Sequence, residues 1–465
     1  MIAHRQKECI VSSGVAGLLL GIIWISSSAF AANISEFVNI HPYVEVGGGY
    51  DDNIFQIPDD RDPEDNADRE DSYFDAIAGV KVDLMYERQL LDVNLGMDYA
   101  FTYKKYSVNT DLDDSDHKLD FDLSVGSKYQ EGFFRDRAKL NVSNVLTYIP
   151  IDQEASLLPG NRTWRNNFEA GIGYNLISKP RTAFIVDYTY DRIDYGDDPI
   201  TVWTTSDYDR TSMLTEDSQS HRGSANFKHA LNSKLTYVLT YAYQLTLRDE
   251  NELVSSNFSR HHVITGVETK LTSRMTANLK GGYSMTSYED VGHLSQDDQE
   301  SFIAEASLTG NFGKRPLMTV GYKRYFVEND FGDTLLTDDF FGRFGFKIAQ
   351  GLMLNLRGDY LDEARDLYGD DTKQLLLSAD TEYELVKNLK MLLAYNYRKR
   401  DFFTYDFLEA ADREETSHIF SGGLEYKITQ YVLLKGMYYH TEKTSNLGDN
   451  DYARNQFVAS GRVIF

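Results

Sequence analysis

Residues 235–248 carry Leu235, Tyr237, Leu239, Tyr241, Tyr243, Leu245 and Leu247 on one parity and Thr236, Val238, Thr240, Ala242, Gln244, Thr246 and Arg248 on the other. A period of two sends the two sets to opposite faces of a strand, one greasy and one wet. The same division runs through 91–104, where Leu91, Val93, Leu95, Met97, Tyr99, Phe101 and Tyr103 interleave with Asp92, Asn94, Gly96, Asp98 and Lys104. It recurs from Leu389 to Tyr397. Each such run matches or exceeds the roughly ten residues that a tilted strand needs to cross a bilayer. Charges on one face mean that this face is wet, so the pattern fits a wall between lipid and water.

The connections alternate between short and long. Short turns are expected at 87–89, 178–181, 232–233, 272–273, 314–316, 350–351, 387–388 and 429–430. Long, acidic connections are expected at 56–72, 107–115, 196–217, 291–299, 329–336, 366–372, 405–415 and 446–453. Outer-membrane barrels have short periplasmic turns and long extracellular loops, so the alternation also sets an orientation. The expected fold is all-β: a single transmembrane antiparallel up-and-down barrel of about 18–20 strands, the weaker runs at 218–230 and 318–328 leaving the count open. A barrel of that size is too wide to be filled by its own strand side chains.

The chain begins with a basic stretch (His4, Arg5, Lys7), an apolar run over 10–25 and the small-residue site Ala29-Phe30-Ala31, which reads as a cleavable secretory signal peptide over 1–32. A short lead-in, 33–39, then precedes a barrel over 40–465. Cys9, the only cysteine, lies in the signal, so disulfides and thiolate chemistry are excluded from the mature protein. A formal net charge of −25 disfavours nucleic acid. The 32 tyrosines and 26 phenylalanines against eight prolines suit strands. Tyrosines gather toward the outer ends of ascending strands (Tyr99 and Tyr103, Tyr188 and Tyr190, Tyr241 and Tyr243, Tyr395 and Tyr397, Tyr438), as an aromatic girdle requires.

The last strand alternates Phe457, Ala459, Gly461, Val463 and Phe465 and ends on an aromatic carboxylate residue. It resembles the terminal signal read by the outer-membrane barrel assembly machinery, with Phe457, Val463 and Phe465 as its bulky positions. The most distinctive short stretch is Tyr50-Asp51-Asp52-Asn53-Ile54-Phe55, preceded by three glycines. It resembles the opening strand of the Putative beta-barrel porin 2 family, whose members are barrels often encoded with exopolysaccharide or capsule export genes. The resemblance rests on this hexapeptide and the strand plan. It implies a channel for a surface polysaccharide or something smaller, beside a separate polysaccharide-export protein. The same residues also suit a strand end opening into a loop.

By parity the lumen receives charges of both signs, among them Asp98, Asp187, Arg343, Lys347, Arg357, Arg398 and Arg400. The basic positions concentrate in later strands, where one positive wall would suit an anionic polysaccharide; cross-strand pairing that merely wets the wall is the plainer expectation. Asp59, Asp60, Asp62, Asp111 and Asp113 are calcium candidates, though neither stretch reproduces the calcium-loop spacing and a solvated acidic loop explains them as well. No serine-nucleophile elbow is present, and His261 and His262 should face opposite sides of a strand, so no cofactor and no catalytic site is expected. Two functions lead: a porin-like export channel, or a non-conducting surface barrel whose acidic loops bind cations; an outer-membrane barrel hydrolase comes third, with no motif behind it. Outer-membrane lipids and lipopolysaccharide are the expected surroundings.

Overall fold

The computed structural model describes residues 37–54, 69–87, 91–110, 114–127, 138–150, 162–195, 217–248, 257–289, 298–311, 317–328, 334–365, 371–403, 413–446 and 451–465. The signal peptide, the calcium candidates and Phe55 lie outside them, as do the expected turns at 87–89 (in part) and 314–316.

Twenty strands follow one another without a helix between them among the described residues. The first seven are β1 (Val38–Asp51), β2 (Asp71–Glu87), β3 (Leu91–Tyr106), β4 (Asp114–Ser127), β5 (Ala138–Pro150), β6 (Arg162–Lys179) and β7 (Thr182–Tyr195). The next seven are β8 (Ser218–Ala230), β9 (Leu235–Arg248), β10 (Asn257–Lys270), β11 (Met275–Glu289), β12 (Gln299–Asn311), β13 (Leu317–Glu328) and β14 (Thr334–Ala349). The last six are β15 (Leu352–Arg365), β16 (Asp371–Val386), β17 (Leu389–Phe403), β18 (Arg413–Lys427), β19 (Val432–Ser445) and β20 (Tyr452–Ile464). Each pairs antiparallel with its chain neighbours, and β1 pairs with β20 from Tyr43↔Ile464 to Asp51↔Gln456, which closes the barrel. Closure removes the unpaired edges that lipid cannot tolerate. The count settles at twenty, because 218–230 and 317–328 are both full strands.

The tight turns form where turn chemistry predicts. Asn232 accepts from the backbone N–H of Lys234 and Leu235 at 2.8 and 2.9 Å, and Thr429 accepts from those of Tyr431 and Val432 at 3.1 Å each. In the two-residue turns a left-handed backbone falls on Gly351 (φ 80°) and Asn388 (φ 70°), residue types that adopt it at least cost. The strands leading into these two turns, β14 and β16, each carry a bulge just before the turn.

The register separates lipid from lumen. Val44, Val46, Phe74, Tyr188, Tyr241, Phe302, Phe340, Tyr395 and Phe457 are exposed apolar side chains on one continuous face, which is the face turned to lipid. A repeating contact marks its border at the end of the barrel that carries the long connections. In eight hairpins an outward tyrosine on the ascending strand bonds diagonally to a polar side chain on the descending strand, one pair nearer the loops. The partners are Tyr50–Glu70, Tyr99–His117, Tyr188–His221, Tyr241–His261, Tyr283–Glu300, Tyr322–Asp338, Tyr395–His418 and Tyr438–Asn455. Between β5 and β6 the pair Asn144–Asn166 stands in the same relation at 2.8 Å. Such a tyrosine buries its ring among acyl chains and keeps its hydroxyl bonded at the polar border.

Candidate functional site

Two places hold the residues singled out from the sequence: the seam where β1 meets β20, and the lumen wall. At the end of the seam where the chain leaves β1 the Tyr50–Ile54 stretch is a clasp. Asp51, 2% exposed, accepts from Arg454 Nε at 3.0 and 2.9 Å and also from its Nη2. Asp52 accepts from the backbone N–H of Asn455 at 2.5 Å and from its side-chain amide at 2.6 Å. Asn53, 0% exposed, donates its amide to the carbonyl of Ala453 at 2.9 Å, and the backbone N–H of Ile54 donates to the carbonyl of Arg69 at 3.0 Å. Asp51 at the end of β1 and the two side chains after it thus lock onto three successive residues of β20.

Asp71, placed by its sequence surroundings in an acidic loop, is instead the first residue of β2 and 2% exposed. Its carboxylate accepts from the backbone N–H groups of Ser107 (3.1 Å), Val108 (3.1 Å) and Asn109 (2.7 Å), fixing the chain as it leaves β3. Ile54, Tyr73 and Tyr106 pack into a small core beside it, with Lys104 Nζ 4.0 Å from the Tyr73 ring centroid. Asp71→Ala is expected to lose about 1–2 kcal/mol, as for removal of a helix-capping carboxylate, and to speed proteolytic cutting after Tyr106 without abolishing the barrel; limited proteolysis of folded protein checks both.

Lower in the lumen, side chains cross neighbouring strands. Tyr73 of β2 passes over Gly49 of β1, where a Cβ would stand 2.7 Å from its ring, and accepts from Gln456 of β20 at 3.2 Å. Tyr43 of β1 crosses Gly79 of β2 to donate to Asp98 of β3 at 3.1 Å, while Arg462 of β20 lies 4.0 Å from its ring centroid. The glycines leave the room these crossings need.

All seven pore-lining candidates stand on the lumen parity of their strands. Beyond the seam the lumen charge is unevenly divided. On β2–β4, Asp75, Asp83, Asp92, Asp98, Asp116, Asp120 and Asp122 outnumber Lys81, Lys104 and Lys118, and Asp98 pairs directly with Asp120. Half a turn of the barrel away, β13 and β14 present Lys323, Arg343 and Lys347 against Asp339, and β17, nearer the seam, presents Lys390, Arg398 and Arg400. The face of β16 between them is acidic through Asp380, Glu382 and Glu384, of which Glu382 is bonded by Lys390 at 2.6 Å.

The basic candidates differ in how far their charge is already used. Asp359, 4% exposed, takes Arg357 at 2.5 Å and Arg343 at 3.9 Å. Arg400 donates to the neutral Gln374 at 2.6 Å, and neither Lys347 nor Arg398 makes an ion pair among the described residues. Asp187 is held by the neutral Ser224 and Asn226 at 3.3 Å each. An ion in the lumen therefore meets an acidic wall at β2–β4 and, elsewhere on the ring, the charges of Lys347 on β14 and Arg398 on β17.

Residues 373–465 match the family model of Putative beta-barrel porin 2. The match begins within β16 and runs through β20, so it takes in Arg398, Arg400 and the half of the clasp formed by Arg454 and Asn455. It does not reach Tyr50–Phe55, whose likeness to Putative beta-barrel porin 2 rests on its own residues. No curated protein matches the chain. Among solved structures, the FrpB iron transporter of Neisseria meningitidis is 9% identical with a TM-score of 0.53, covering 94% of this chain and 83% of that one. A ferric enterobactin receptor, PfeA, is 10% identical with a TM-score of 0.52, covering 92% of this chain and 81% of that one. These likenesses are of fold. Together with the porin-family match they place the chain among outer-membrane β-barrels.

The terminal residues fit that setting. Phe457 and Val463 face lipid from β20, opposite Tyr50 and Val44 of β1, and the Phe465 backbone N–H donates to the Pro42 carbonyl at 2.8 Å with its side chain 68% exposed. His261 and His262 do fall on opposite faces, the first bonded to Tyr241 on the lipid side and the second toward the lumen. The clasp partners Arg454 and Asn455 and the capping Asp71 were missed from sequence. Their one available signal was the rule that a barrel's first and last strands must pair.

Proposed function

We propose that the barrel is a porin-like outer-membrane channel that takes part in exporting an anionic exopolysaccharide or capsule polymer. The observation that carries this reading is the divided lumen: an acidic wall at β2–β4 and, apart from it, the cations Lys347 on β14 and Arg398 on β17, which make no ion pair among the described residues. A hydrated acidic sugar chain can run along the cationic wall while its counter-ions pass along the acidic one. A separate polysaccharide-export protein is the partner such a barrel would need, since its lumen supplies selectivity and no driving force. The resemblance of Tyr50–Phe55 and the match at 373–465 support the same family setting.

Deleting the gene and quantifying surface polysaccharide tests the role directly. Loss of the secreted polymer, restored by the wild-type gene, is expected; secretion at the wild-type level would contradict it.

A further inference from the structure

We propose that His117, His221, His261 and His418, on the lipid-facing surface, donate hydrogen bonds to phosphates of outer-leaflet glycolipid head groups. The four imidazoles are built into the same unit. Each is bonded through Nδ1 to the diagonal tyrosine, at 2.8, 2.7, 3.0 and 2.8 Å in that order. Each also lies against the ring directly opposite it, with centroids 4.9, 5.2, 4.9 and 5.2 Å apart. In the same unit Tyr50 and Tyr322 donate to the carboxylates of Glu70 and Asp338, and an imidazole that accepts the tyrosine proton in that role at Nδ1 carries its own proton at Nε2. Among the described residues no group receives that second proton in any of the four units.

A donor held at the border of the hydrocarbon region requires an acceptor there. The strongest acceptors at that depth are lipid phosphates. On the tyrosine's strand the outward residue one pair nearer the loops is Arg192 by His221 and Lys399 by His418. Both cations share their charge with carboxylates, Arg192 with Asp194 at 2.6 Å and Lys399 with Asp401 at 3.1 Å and Glu414 at 3.5 Å. The hairpins that put Glu70, Glu300 or Asp338 in the histidine's place would repel the same head group, so the contacts belong to the four histidine units.

The test uses purified full-length protein in detergent, native mass spectrometry and two probes: lipid A, and lipid A stripped of its phosphates. The variant carries His→Phe at all four positions, which keeps a ring in the girdle and removes both nitrogens. Its fold is verified by the shift in gel mobility that folded barrels show on heating. Should the fourfold variant not fold, H221F with H261F, on adjacent hairpins, replaces it. Binding of lipid A is expected to weaken about tenfold while binding of the dephosphorylated form is unchanged. Equal binding of lipid A by variant and wild type would overturn the proposal. So would an equal loss for both lipids, which would make the histidines packing residues, or displacement of lipid A by inorganic phosphate alone, which would make them a free-anion site.

Discussion

Asp51→Ala is expected to cost the barrel about 3–5 kcal/mol, the usual penalty for removing one partner of a buried ion pair. Three bonds from Arg454 converge on this carboxylate, which is almost wholly buried at the last pair of the β1–β20 ladder. Truncating it leaves a guanidinium at the closing seam with no carboxylate to receive it. The penalty belongs to the stranded charge more than to the pair, so Asp51→Leu combined with Arg454→Leu should recover most of the loss. The temperature at which the folded form converts to the unfolded form on a gel, followed across urea concentrations, measures both. A single variant as stable as wild type would show that the seam does not depend on the clasp.

Replacing Lys347 and Arg398 by glutamine is expected to shift the lumen toward cations. A unit charge about 7 Å from a permeating ion contributes roughly 0.6 kcal/mol in water, and screening at 0.1 M salt halves it to about 0.3 kcal/mol. Each charge acts with opposite sign on an anion and a cation, so two such charges change the anion-to-cation permeability ratio by roughly eightfold, and the change should shrink at 1 M salt. Asp98→Asn with Asp120→Asn removes charge from the opposite wall and should shift the ratio the other way. Arg343 and Arg357 are unsuitable for this comparison, because their loss would leave Asp359 buried without its partners. Reversal potentials across a salt gradient read all of these; a ratio indifferent to both sets would mean that permeating ions do not sense the wall.

The alternation that defines the strands was legible because each wall residue sees only lipid or water, so the apolar or polar character of a side chain follows its parity, as it does along β9. Turns were legible for a related reason. Asn232, Thr429, Gly351 and Asn388 act on the backbone within a few residues of themselves, and local chemistry is written locally. The clasp was not. Asp51 and Arg454 are 403 positions apart, and only closure of the ring brings them together. Tyr50–Phe55 stood out as a motif, yet its carboxylates could be read equally as a loop opening, since sequence shows the acid and hides the arginine. Asp71 misled in the opposite sense: seven acidic neighbours over 59–70 suggested solvent, whereas three backbone N–H groups of the next hairpin bury it. The girdle tyrosines were visible as a cluster, and their histidine partners as isolated residues. Their diagonal pairing needed the register.

Whether the lumen conducts is the most direct test of the account. Purified wild-type barrel inserted into a planar bilayer is predicted to give stable, ohmic single-channel steps, with a reversal potential that moves in opposite directions in the two sets of lumen variants. A folded, inserted barrel that leaves the bilayer sealed would contradict it.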